Sequence, residues 1–218
     1  MKKLSILFLI FFLIGCNFEQ EDDSIIQKWE NGIVYYQFRD EVSDSEQDVV
    51  RKAMDIWEDG TIVEFIEASG IEQYICKIGK APLIDDLYRP HAILGQHKDS
   101  EMTFIEVGYF SVILHELGHV LGLIHEHQRP DRDEYVEIYP ENMIVNFEHN
   151  FELFDNPLYE EESLPYNYNS IMHYTSFNGS KNGNPVIITT NEDLPYIIHW
   201  NKKRPADIDY AKVNLIYE

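Results

Sequence analysis

The stretch HELGHVLGLIHEHQRPDRD, His115 to Asp133, decides how the rest of the chain is read. Its histidines at 115, 119 and 125 stand four and six residues apart, with Glu116 after the first and Gly122 three before the last. Residues four apart on an α-helix share one face, about 6 Å apart along the axis. His115 and His119 can therefore turn their imidazoles towards one ion, each about 2.0–2.1 Å from a zinc. A third ligand from the same helix would lie on the wrong side or too far along. The chain has to bend back, and Gly122 is where it can, because glycine tolerates the left-handed conformation that ends helices. His125 then approaches the metal from outside the helix.

Glu116 is offset around the helix from the histidine pair, so it can meet a water on the metal without becoming a ligand. The chemistry this predicts is peptide hydrolysis by attack of a zinc-bound water, with Glu116 as general base and then as proton donor to the leaving amine. Three neutral histidines leave the ion doubly positive and strongly Lewis acidic. Three core histidines with no metal are the plainer alternative. A bare HExxH occurs by chance, but the added Gly122 and His125 make the pattern far more specific.

Outward from this motif, the 218 residues suffice for one sizeable core or for two lobes sharing a cleft. A hydrophobic content of 44% and an aromatic content of 13% exclude a disordered chain. The first fifteen residues, MKKLSILFLIFFLIG, do not belong to that core. Lys2 and Lys3 form a basic start, and Leu4 to Ile14 is an apolar run too short to span a bilayer comfortably. It ends in LIGC, which resembles a bacterial lipobox with Cys16 as the lipidated residue; an ordinary secretory signal or short anchor is the alternative. Residues 1–15 are thus expected to be a signal peptide and residues 16–28 a lipidated, acidic tether. The protein would be exported and held on a bacterial membrane, periplasmic or at the cell surface. Loss of Lys2 and Lys3 leaves 15 basic against 39 acidic residues, a formal charge of −24. That surface repels nucleic acid and anionic lipid and favours a soluble monomer at the membrane face. With Cys16 lipidated, Cys76 is a lone thiol in a strand-like run, and no intramolecular disulfide is possible.

The folded unit is expected from Trp29 to Glu218, with an N-terminal lobe over about 29–122 and a C-terminal lobe over about 123–218. Gly32 to Phe38, Thr61 to Ala68, Gln73 to Gly79 and Glu101 to Val107 read as strands. SDSE, Ser43 to Glu46, opens a helix through about residue 58 whose apolar face carries Val49, Val50, Ala53, Met54, Ile56 and Trp57. The active-site helix runs from about Tyr109 to Leu121. Beyond Gly122, seven prolines cut the chain into short pieces until a terminal helix follows Pro205.

HELGHVLGLIH matches the metzincin signature HExxHxxGxxH, and SIMHY, Ser170 to Tyr174, resembles the Met-turn that accompanies it. The continuation HEHQRPDRDEYV is similar to the astacin family's HExxRxDRDxYV, as are NMIVNF, the closing DIDYAKVNLIY and the opening WENGIVYYQF. The resemblance covers most of Trp29 to Tyr217. It implies an α+β, zincin-like (metzincin) fold: a mixed twisted sheet with the active-site helix in the N-terminal lobe, and an irregular C-terminal lobe with a terminal helix. It implies one catalytic Zn2+ on His115, His119 and His125, Glu116 as base, and a protein or peptide substrate. Met172 would form an apolar floor beneath the histidines. Tyr174 would be a phenol that turns to hydrogen-bond the oxyanion. Without the resemblance both would be read as ordinary core residues. In the family, Glu126 reaches towards the mature N-terminus in a buried contact. A lipidated Cys16 cannot supply that amino group, so Glu126 finds another partner or the chain is cut further on. The family's four cysteines are also missing.

The strand at Glu101 to Val107 is expected to be the sheet edge that takes substrate backbone antiparallel, or else a plain edge. His91, His97, His127, His149, His173 and His199 lack ligand spacing and read as surface or supporting residues. The acidic run at Tyr159 to Ser163 reads as a solvated loop. Arg129, Asp131, Arg132 and Asp133 read as charges that pair with one another and with backbone. Lys181, Lys202, Lys203 and Arg204 are candidate determinants of an acidic substrate preference. Two other functions stay open: a catalytically silent zincin that binds peptides or glycoproteins, and an HExxH aminopeptidase, which would take a distant Glu as third ligand.

Overall fold

The structure is a computed structural model that describes residues 27–218, apart from 82, 85–86, 89, 98–99, 105–108, 159, 161–162 and 199–201. The signal peptide, Cys16, most of the tether, residues 105–107, His199 and much of the acidic run after Tyr159 lie outside the described residues. No described helix is long and apolar enough to cross a membrane.

The chain enters at Trp29, which is fully buried and donates from its indole to the carbonyl of Val120 at 2.9 Å. Strand β1 (Ile33–Phe38) follows, with Val34 and Tyr36 turned inward as a period of two requires. Helix α1 (Asp44–Gly60) opens on the expected capping box: Glu46 accepts from the Ser43 backbone at 2.9 Å and from its hydroxyl at 2.7 Å. Its buried residues Val50, Ala53, Met54 and Trp57 recur at helical spacing. Strands β2 (Glu64–Glu67) and β3 (Cys76–Lys80) are shorter than their apolar runs suggest. Between them, Glu72 folds back to accept from the backbone of Ser69, Gly70 and Ile71, which closes a turn.

A short antiparallel pair, β4 (Leu83–Ile84) with β5 (Leu87–Tyr88), precedes β6 (His91–Ala92) and β7 (Glu101–Phe104). The main sheet runs β2-β1-β3-β7-β6, parallel except for the β6–β7 pair. Its register places Ala92 beside Met102 and His91 beside Thr103. This corrects one expectation. Over its described residues β7 is flanked on both sides, by β3 and by β6, so the antiparallel edge is His91–Ala92 and not the strand at Glu101. A two-residue strand between Pro90 and Gly95 is too short to show an alternating pattern.

Helix α2 (Phe110–Val120) packs against α1 and the sheet, and the Trp57 indole donates to the Leu114 carbonyl at 3.1 Å. After it come short 3-10 turns, a small antiparallel ribbon of β8 (Val136–Ile138) and β9 (Ile187–Thr189), and the terminal helix α3 (Asp207–Tyr217). Among the described residues, two apolar cores result. One gathers Trp29, the sheet, α1 and α2, and takes in Leu123, Ile171, Met172, Val213 and Ile216 from the later chain. The other joins Val136, Met143, Phe151, Val186, Ile187 and Ile197. The chain is strand-rich before Gly122 and irregular after it, yet the last helix returns to close the first core.

Candidate active site

Helix α2 ends as the glycine predicted. Gly122 sits at φ +96° and donates to the His119 carbonyl at 2.9 Å, while Leu123 donates to Gly118 at 3.0 Å. These two bonds satisfy carbonyls that the last turn would leave unpaired, and they reverse the chain towards its own helix. His115, His119 and His125 are thereby brought together, with one ring nitrogen from each within 4.8 Å of the others.

The outer nitrogens fix how the rings face. Nδ1 of His115 bonds the Ile171 carbonyl at 2.8 Å, that of His119 the Leu123 carbonyl at 2.7 Å, and that of His125 the side-chain oxygen of Gln128 at 2.8 Å. Each acceptor is an oxygen without a proton, so each Nδ1 donates and each Nε2 carries a lone pair when the ring is neutral. Burial pushes His115 below the ordinary histidine range, and His119 and His125 well below it, which favours neutral rings. Two such lone pairs, on Nε2 of His119 and His125, then face each other at 3.3 Å. Two nitrogens about 2.0–2.1 Å from one ion at the tetrahedral angle are about 3.3 Å apart. The donor set fits a zinc ion and repels itself without a cation.

Glu116 lies 5% exposed on the same helix, and its Oε2 has no hydrogen-bond partner among the described residues. Burial pushes its carboxyl up to about 8. Tyr174 packs against the metal-binding turn with its ring tilted, its centre 4.7 Å from His125 and 4.3 Å from His127. Burial, with a further push from the charge of Glu116, raises the phenol to about 12, so it remains a neutral donor at physiological pH. Met172 is buried directly under α2: a Cβ added at Gly118 would fall 2.6 Å from its Sδ. Gly118 thus lets the Met-turn approach, a constraint that HELGH carries without announcing it.

Glu126, next to His125, is fully buried, and its partners come from within the chain. Lys212 Nζ donates at 2.5 Å, the Asn167 backbone at 2.9 Å and Arg129 at 3.3 Å. Arg129 is held mainly by Asp131, at 2.9 and 2.7 Å, and lies over the Tyr166 ring. Arg132 pins the backbone of His127 and Phe151 at 2.9 and 2.7 Å. The charged run is therefore internal scaffolding.

Sequence reasoning overlooked several members of the site. Gln128 follows His125 by three residues in a 3-10 turn, Glu126–Gln128, where positions three apart overlie each other. The signal was present in HEHQ. His127 and His173 are buried rather than on the surface. His127 Nε2 donates to the Asn150 carbonyl at 3.1 Å, and His173 bridges the Tyr166 hydroxyl and the Tyr174 carbonyl at 2.6 and 2.7 Å. Lys202 gives its ammonium to the backbone carbonyls of Asn169 and Ser170 beside the Met-turn, and burial lowers it to about 8. Lys181, Lys203 and Arg204 are exposed. His91, on the edge strand, joins Thr103 and Glu101 at 3.1 and 2.8 Å. Cys76 is buried, and burial pushes its thiol up to about 12, so it is an inert core residue.

Comparison with known proteins agrees with this geometry. The family model described as Astacin, a peptidase family, matches residues 21–218. The chain is 31% identical over 199 residues to the protein SpAN of Strongylocentrotus purpuratus, covering 88% of this chain and 31% of that one. It is 31% identical over 196 residues to the low choriolytic enzyme of Oryzias latipes, covering 88% of this chain and 68% of the other. The chain thus spans only about a third of the first of these relatives. The solved structure of high choriolytic enzyme 1, a hatching enzyme zinc-protease from Oryzias latipes, superposes with a TM-score of 0.74 at 27% identity, over 88% of this chain and 93% of that one. A metzincin fold, a centre built for zinc and a family match over nearly the whole described chain lead to one assignment: the chain belongs to the astacin family of zinc metallopeptidases.

Proposed function

We propose that this protein is an exported, membrane-tethered zinc endopeptidase that acts as a monomer on extended protein or peptide substrates. The observation that carries the reading is the convergence of three inward Nε2 lone pairs, with the residue after the first ligand burying a carboxyl oxygen that has no partner among the described residues. A scaffold has no use for such an oxygen, because burying it unpaired costs several kcal/mol, roughly 1–3 even in mutational data. A base waiting for a proton does.

His115, His119 and His125 would hold the zinc, which when bound supplies Lewis acidity to the scissile carbonyl and to a water. Glu116 takes the proton from the attacking water through its free oxygen. Glu116 then passes that proton to the leaving nitrogen. The Tyr174 hydroxyl donates to the carbonyl oxygen as negative charge gathers there. Substrate alignment follows from the corrected sheet edge. Gly95, just after β6, donates to the His119 carbonyl at 2.9 Å, so a peptide added along His91–Ala92 runs beside the metal ligands.

On this reading residues 1–15 direct export, Cys16 carries lipid, residues 16–28 form the tether, and catalysis belongs to 29–218, with lobes meeting near residue 122. The lipobox resemblance and the acidic, cysteine-poor mature chain support it. The test is digestion of casein or gelatin by the full chain in detergent. Activity should vanish with chelator, return with zinc and be lost in Glu116→Gln while zinc is retained. A zinc-loaded protein that cleaves no protein or peptide would establish the silent binding module instead. Cys16→Ser should move the protein from the membrane to the soluble fraction, and its retention on the membrane would refute the anchor.

A further inference from the structure

Helix α3 reaches the metal centre through two residues one turn apart. Asp209, fully buried, accepts from the Ser170 hydroxyl at 2.6 Å and from the backbone of Ile171 at 2.9 Å and Ala206 at 2.8 Å. The carbonyl of that same Ile171 orients His115. Lys212, 3% exposed, bonds Glu126 at 2.5 Å. Glu126 is joined to His125 by a peptide bond, and its own N–H donates to the Met172 carbonyl at 3.1 Å. One face of α3 therefore stands a single residue away from two of the three ligands.

Lys212 is the closest cation bonded to Glu126 among the described residues, with Arg129 shared between Glu126 and Asp131. Lys202 and Asp209, of opposite charge, also lie near enough to act on Glu126. Arg129 spends its two shorter contacts on Asp131 and reaches Glu126 only at 3.3 Å. Without Lys212 a buried carboxylate beside a metal ligand loses its closest counter-charge, and it can regain one only by moving. We infer that Lys212 is a positioning residue of the metal centre: its ammonium, presented by α3, holds Glu126 and through it the His125 turn in the ligating conformation. A further consequence is that Glu126 is already satisfied from inside the chain, so the site needs no amino terminus freed by cleavage. This rests on the proposed zinc function, but its test does not depend on turnover.

The experiment compares zinc affinity, by competition with a chelating dye, for the full chain in detergent and for Lys212→Met and Lys212→Met/Glu126→Gln. The single variant should bind zinc at least tenfold more weakly, and the melting-temperature rise on adding zinc should shrink. A merely structural lysine would lower the melting temperature with and without zinc alike. The double variant removes both charges and should recover affinity to within about threefold of the parent. Should Lys212→Met fail to fold, the double variant still decides, because the inference requires it to fold and to bind. Unchanged zinc affinity in the single variant, or a double variant as weak as the single, overturns the assignment. So does a parent chain that binds zinc only after trimming within residues 17–28, followed by intact mass. Absence of cleavage by a parent that binds zinc normally would instead count against the endopeptidase reading alone.

Discussion

Replacing Glu116 with Gln should make the metal-free protein more stable at about pH 8 while it destroys the enzyme, and the size of the gain follows from burial. In the fold the carboxyl titrates at about 8 instead of 4.5, with desolvation as the cause. Well below pH 4.5 the carboxyl is neutral in folded and unfolded chains, and its ionisation costs nothing. As the pH rises through that value the unfolded chain ionises first, while the folded chain stays protonated until about 8. Stability is therefore lost across this window. Each pKa unit is worth about 1.4 kcal/mol, so the loss attributable to Glu116 is about 4 kcal/mol at about pH 8 and under about 1 at about pH 5. A buried amide is itself unsatisfied, at about 1–3 kcal/mol, but that cost does not change with pH. Urea unfolding of both proteins in excess chelator, at about pH 5 and about pH 8, isolates the ionisation. The variant's stability relative to the parent should be higher at the higher pH by about 3 kcal/mol. With zinc restored, the variant should bind the metal and lose about 10²–10⁴-fold in turnover, the usual contribution of a general base. A difference that is the same at both pH values would refute the burial argument, and normal turnover would refute the role as base.

Gln128→Ala frees Nδ1 of His125 and should weaken zinc about 10–100-fold by dye competition, as loss of an orienting partner does elsewhere; undiminished affinity would show that the turn alone holds the ring. Gly118→Ala drives a methyl to 2.6 Å from the Met172 sulfur, so the Met-turn must retreat. A loss of about 1–3 kcal/mol in urea unfolding, with weaker zinc binding, is expected, and a variant that matches the parent in both would show that the two elements slide apart freely. Tyr174→Phe keeps the packing against His125 and removes the donor. Its kcat should fall about 10²–10³-fold with KM little changed, and a pure KM effect would place the hydroxyl on bound substrate rather than on developing charge.

The parts of the site that are legible in the sequence are those set by local geometry. Helical spacing puts His115 and His119 on one face, and the φ of Gly122 explains the reversal to His125. The capping box fixes the start of α1 at Ser43 for the same reason: partners three residues apart need no knowledge of the tertiary structure. Non-local partners are not legible. Ile171 orients His115 through its backbone carbonyl, which no side chain advertises. Lys212 meets Glu126 across 86 residues of sequence, and its only signal is a lysine beside Val213 on the buried side of AKVNLIY. Edge strand β6 has two residues, fewer than an alternating pattern needs, so the longer run at Glu101 draws the eye instead. His127 reads no more sharply than a surface or supporting residue because its aromatic cover, Tyr174 and Phe151, comes from other segments.

The return of α3 to the first core has a consequence for the order of biogenesis. Asp209 and Lys212 are contributed by the helix at Asp207–Tyr217, yet they secure backbone around residues 126 and 171. A nascent chain that has emerged only as far as the Met-turn has its histidines but lacks what clamps them. A chain extended only to the Met-turn would therefore hold zinc weakly, and the site would be complete only once α3 has docked.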